Sequence, residues 1–166
     1  MLCVGCLVSV LFWFALLIFG YLLSLGEDIA EAALRELEEE TGIHDATCQG
    51  ILAFRQAHGA SAGRASSDLF FVCLLTVPSQ QSPEGTNSID NLSPQEHEIA
   101  DIKWMPVKDY AGQDLWQKSP VYLDLNQAIL DCSKNRQEGK PIPIVAARKL
   151  QVGFTNGTNT VYRSHL

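Results

Sequence analysis

The chain has 166 residues with a formal net charge of −7, long enough for one domain with a sizeable core and too short for two. No basic patch, RNA-recognition signature or zinc-finger spacing accompanies that acidity, which excludes nucleic-acid polymers as partners. The five cysteines, at 3, 6, 48, 73 and 132, are odd in number and scattered, so they supply no disulfide framework, and Cys3-x2-Cys6 reads as chance or lipid contact.

Residues 2–25 carry no charge and are almost wholly apolar, longer than the roughly 20 residues that span a bilayer. The favoured reading is a membrane-spanning signal anchor, an apolar helix that would make the protein membrane-associated. Without it, the remainder reads as cytoplasmic. A cleaved signal peptide is the weaker option, because no basic stretch precedes the run and no small-x-small site follows it. Buried strands are the third option: the run includes β-branched and aromatic residues but shows no alternation. The first Lys or Arg is Arg35, so charge gives no orientation.

Residues 26–43 predict an amphipathic helix of about four turns, with Ile29, Ala30, Ala33, Leu34 and Leu37 in one stripe and Gly42 as its stop. Residues 27–40 hold seven acids and one Arg. Helical spacing gathers Glu36, Glu39 and Glu40 beside the apolar stripe, where like charges repel unless a cation joins them. Oxygen-only ligands favour Mg²⁺ or Mn²⁺ over Zn²⁺, and the bland alternative is a solvated acidic face.

The order of residues adds to this. Glu27, seven intervening residues and then Arg35-Glu36-Leu37-x-Glu39-Glu40-x-Gly42-Ile43 resemble the Nudix box, matching eight of its nine fixed positions over 18 residues. The ninth, a glycine in the family, falls at Tyr21. In the family around forty residues precede this helix. An apolar run in that place suggests a splice variant, a retained intron or a mispredicted first exon.

Downstream, Thr47–Gln56 reads as a strand, Gly59–Ser67 as a small-residue loop and Asp68–Val77 as an apolar central strand. Ala53-Phe54-Arg55-Gln56-x-His58, Ser67-Asp68-Leu69-Phe70-Phe71-Val72-Cys73 and Lys103-Trp104-Met105-Pro106 resemble a plant-rich Nudix subgroup and the animal protein encoded antisense to a fibroblast growth factor. Arg55 and His58 sit at a strand end where substrate could be met, and Arg64 in the loop could reach a phosphate. Each is equally well read as a solvated surface group.

Residues 78–95 are too polar to pack and read as a flexible insertion. Glu98 stands six residues before Trp104, where the family commonly carries a Glu opposite the box helix. A strand through Trp104, a short helical or irregular link over Asp109–Ser119 and a second amphipathic helix over Leu123–Arg136 follow. A hairpin is expected around Asn156-Gly157, from Val152–Phe154 and Thr160–Tyr162.

The resemblance implies an α/β fold, a Nudix-type α/β/α sandwich over residues 26–166, incomplete at its N-terminal strands and preceded by the apolar segment 1–25. It implies hydrolysis of a small nucleoside diphosphate linked to another moiety, ADP-ribose or NADH, with release of AMP. Glu36, Glu39 and Glu40 would hold Mg²⁺ (or Mn²⁺), Glu39 or Glu98 would serve as base, and Arg35, paired with Glu27, would orient the carboxylates. A homodimer is left open. The competing class is a membrane-tethered, non-catalytic Nudix remnant acting as a binding or regulatory protein, and a chance match of the motif is the third reading.

Overall fold

The computed structural model describes residues 9–10, 15–19, 26–58, 67–77, 92, 104–151 and 158–164. Its frame is the antiparallel ladder between β3 (Thr47–His58) and β4 (Ser67–Thr76), which pairs from Thr47↔Thr76 to His58↔Ser67 with irregularities between Cys48 and Gly50 and between Ile51 and Ala53. On the other side of β4 runs β2 (Ala15–Phe19), again antiparallel. Beyond β3 come β6 (Val145–Gln151) and β7 (Thr158–Ser164), giving the order β2-β4-β3-β6-β7. A second, two-stranded parallel sheet joins β1 (Ser9–Val10) to β5 (Trp104–Met105).

β4 is apolar without interruption from Leu69 to Leu75 because its central part is covered on both faces. Phe71, Cys73 and Leu75 pack with Ala33, Leu37 and Ile51 beneath α1 (Ile29–Thr41). The alternate residues Phe70 and Val72 pack on the opposite face with Tyr110, Trp116, Leu125 and Ile129. These last come from α2 (Val107–Ala111), α3 (Asp114–Gln117) and α4 (Pro120–Gln137). The layers are therefore helix, sheet and helices, as the α/β/α expectation requires. Leu37 and Ala33 are completely buried, and burying one such leucine contributes about 2–3 kcal/mol.

The apolar helix expected over residues 2–25 is corrected by β1 and β2. Ala15–Phe19 bonds to β4 in an unbroken register from Ala15↔Leu75 to Phe19↔Phe71. An apolar run without alternation suits a strand in a sheet covered on both faces as well as it suits a helix in lipid, and here the backbone pairs with the sheet. Among the described residues no helix is long and apolar enough to cross a membrane. The chain upstream of α1 thus contributes to both sheets, where missing strands were expected.

Other boundaries moved for local reasons. α4 starts at Pro120, three residues before the expected Leu123, because Ser119 caps it, its Oγ accepting from Tyr122 N at 3.3 Å, with Pro120 in the first turn. The link before it is two short helices, with Tyr110 and Trp116 in edge contact at 5.3 Å between ring centroids. The C-terminal hairpin exists, but its first strand lies earlier than Val152–Phe154 and pairs from Val145↔Ser164 to Gln151↔Thr158. Among the described residues one ladder pair, Ile51↔Val145, links it to β3. That approach needs Gly50: at its φ of 150° an added Cβ would lie 2.7 Å from the Val145 carbonyl oxygen. The insertion expected over 78–95 falls almost wholly outside the described residues.

Candidate active site

α1 carries the acidic cluster, and its two ends fix how the cluster is presented. At the C-terminal end Gly42 adopts the left-handed conformation (φ 77°) and its N–H bonds to the Glu38 carbonyl at 2.8 Å. Buried Thr41 returns its hydroxyl to the Leu37 carbonyl at 2.6 Å, closing the last turn locally. At the N-terminal end Glu31 Oε2 accepts from the Asp28 N–H at 3.1 Å. The Ile29 N–H, which no intrahelical carbonyl can take, donates to the Tyr162 hydroxyl of β7 at 2.9 Å.

Arg35 organises the carboxylates between those ends. Its guanidinium takes Glu27 in a two-point grip, Nε to Oε1 at 2.8 Å and Nη2 to Oε2 at 3.3 Å. Nη1 then bridges Glu36 Oε1 at 2.7 Å and Glu39 Oε2 at 2.9 Å. Hydrogen bonds donated to Glu27 first, and to Glu36 next, hold the guanidinium pKa above its ordinary value against the opposing pull of partial burial. One cation thus fixes three carboxylates and relieves part of the repulsion that their helical spacing creates. Glu40, on the next position of the same helix, has one carboxylate oxygen fully buried.

Three of the expected site residues, Arg35, Glu36 and Glu39, are therefore in direct contact, with Glu27 as the anchor, and Glu40 lies beside them in sequence and half-buried. Glu98 and Arg64 lie outside the described residues, as does the side chain of His58. Arg55 lies near the C-terminal end of β3. Its guanidinium stands 5.1 Å over the ring of Phe70, which packs with the α2–α4 side of the sheet, opposite the carboxylates. What sequence reasoning missed is the contact of the hairpin with α1: Lys149 Nζ of β6 contacts Asp28 Oδ2 at 3.0 Å and Glu31 Oε1 at 2.7 Å. No local pattern links residues 118 or more positions apart, so only the folded sheet reveals it.

The NUDIX domain profile matches residues 12–125, about two thirds of the chain and all of α1. The chain belongs to the Nudix family. Two proteins of Arabidopsis thaliana align well: Nudix hydrolase 2 is 42% identical over 92 residues, covering 55% of this chain and 28% of that protein. Nudix hydrolase 10 is 40% identical over 101 residues, covering 61% of this chain and 32% of that protein. Nucleoside diphosphate-linked moiety X motif 6 of Xenopus laevis is 43% identical over 56 residues, covering 34% of this chain and 25% of that protein. This Nudix chain thus spans about a third or less of the length of the relatives it matches. The profile begins at residue 12, so it takes in β2, in keeping with the pairing of that strand to β4.

Nudix hydrolases in general use divalent cations such as Mg²⁺. Among the described residues no group of three His, Cys, Asp or Glu side chains is placed to hold a metal ion. The donor set nonetheless fits a hydrated Mg²⁺, which characteristically takes one or two carboxylates and completes its shell with water and substrate phosphate oxygens. Glu36 and Glu39 each give Arg35 one oxygen, and a carboxylate has a second oxygen with which to accept or ligate.

Proposed function

We propose that this Nudix domain hydrolyses the diphosphate of a nucleoside diphosphate linked to another moiety, with ADP-ribose and NADH as the preferred substrates. The observation that carries the reading is the single Arg35 nitrogen shared by Glu36 and Glu39 and anchored through Glu27. Such a guanidinium presets carboxylate orientation before a ligand arrives, so little reorganisation is left for the reaction itself.

Glu36, Glu39 and Glu40 would hold Mg²⁺, or Mn²⁺ in its place. When bound, the cation supplies charge neutralisation on the phosphoryl oxygens. Glu39 aligns and deprotonates the attacking water, and Glu98 is the second candidate for that task. Arg35 keeps Glu36 and Glu39 aimed. Water adds across one P–O bond of the anhydride, the other phosphate departs with the bridging oxygen, and a proton is released. The products are AMP with ribose 5-phosphate, or AMP with reduced nicotinamide mononucleotide.

The test is chromatographic detection of AMP from ADP-ribose and from NADH, with Mg²⁺ and with chelator. The reading expects metal-dependent AMP from at least one of them. Absence of AMP from both, with folded protein and Mg²⁺ present, would overturn it.

A further inference from the structure

Three polar groups of the C-terminal hairpin converge on the first turn of α1. Tyr162 OH accepts the Ile29 N–H at 2.9 Å, and Lys149 Nζ spans Asp28 and Glu31 at 3.0 and 2.7 Å. Thr160 adds a side-chain hydrogen bond to Asp28. Among the described residues the hairpin also pairs with β3 at Ile51↔Val145 and packs Val145 and Tyr162 against the core beneath α1, so these polar contacts add to an apolar attachment. Residues 145–164 also lie beyond the matched family region, which ends at 125.

Asp28 adjoins Glu27, and Glu27 holds the guanidinium that bridges Glu36 and Glu39. Fixing Asp28 and the first helical N–H therefore fixes the backbone from which Glu27 reaches Arg35. We infer that Tyr162 and Lys149 are positioning residues for the metal-binding carboxylates, acting through Asp28, Glu27 and Arg35. The inference rests on the proposed metal-dependent hydrolase. Neither residue touches Glu36 or Glu39 in the contacts that define the site, so their effect must travel along the first turn of the helix.

The experiment compares full-length wild type with Tyr162→Phe, Lys149→Met and Glu27→Gln, and combines Glu27→Gln with each hairpin variant. Mn²⁺ affinity is read by water-proton relaxation, exchange of the amides of residues 27–32 by mass spectrometry, and folding by thermal melting. Each hairpin variant should weaken Mn²⁺ binding by about threefold or more and speed local exchange. The loss in affinity should shrink towards nothing once Glu27 is Gln, because the path is already cut. Lys149 is well exposed, so its variant should still melt cooperatively. Unchanged Mn²⁺ affinity in Lys149→Met and Tyr162→Phe, or losses that simply add to that of Glu27→Gln, would overturn the inference. Wild type that binds Mn²⁺ but releases no AMP would instead defeat the hydrolase reading, a distinguishable failure.

Discussion

The two ends of α1 are held by different means. Its C-terminal end is closed by its own neighbours, Gly42 to Glu38 and Thr41 to Leu37, whereas its N-terminal end adds Tyr162 and Lys149 from the last strands of the chain to its own Asp28–Glu31 cap. Glu36, Glu39 and Glu40 sit towards the locally closed end, and Glu27, the anchor of Arg35, sits at the other. A helix that carries a local sequence motif is therefore also contacted by residues far outside that motif.

The largest expected effect comes from the carboxylates themselves: Glu39→Gln should lower Mg²⁺-dependent AMP release by about 10²-fold or more, measured as kcat/KM. Arg35→Lys keeps the charge but loses the fork that joins Glu27 to Glu36 and Glu39, and activity should fall about tenfold or more with the melting temperature little changed. Loss of stability comparable to loss of activity would show that Arg35 acts mainly as a structural strut. Leu37→Ala, in the buried stripe, should cost about 2–5 kcal/mol in denaturant unfolding. Gly42→Ala forces a side chain into the left-handed region and should cost about 1 kcal/mol, loosening the locally closed end alone.

The smallest effect is in pH. Asp28 is held below its ordinary pKa by Thr160 and then Lys149, and Glu31 by Lys149 and then the Asp28 backbone. Their contributions are present above ordinary carboxylate values and are lost as pH falls through the depressed folded ones. Lys149 is raised by Glu31 and then Asp28, so its contribution is complete below the ordinary lysine value and is lost only as pH rises through the still higher folded one. Amide exchange in the first turn of α1 should thus be flat across neutral pH, after correction for intrinsic rates, and rise in strong acid. A step near pH 6–7 would contradict this assignment of charges.

How far this was legible in the sequence follows the same division. The helix, its stop at Gly42, the carboxylate cluster and the strands β3 and β4 were readable because each rests on contacts within a few turns or on a run of apolar residues. The box also named Glu27 as the partner of Arg35, which the 2.8 Å contact bears out. The apolar run before the helix was misread, because hydrophobicity without alternation is the same signal for lipid and for a strand covered on both faces. The hairpin strand β6 escaped because its Arg148 and Lys149 are exposed and hide the alternation. The clamp on Asp28 and Ile29 depends on which strands lie side by side, and no short-range pattern carries that.

The most direct test of the central claim, that Arg35 presents Glu36 and Glu39 for metal-assisted diphosphate cleavage, is the rate of AMP release from ADP-ribose at saturating Mg²⁺ in wild type and Glu39→Gln, with folding verified for both. The account predicts robust release by wild type and near-complete loss in the variant. Equal rates in the two proteins, or no release by well-folded wild type, would contradict it.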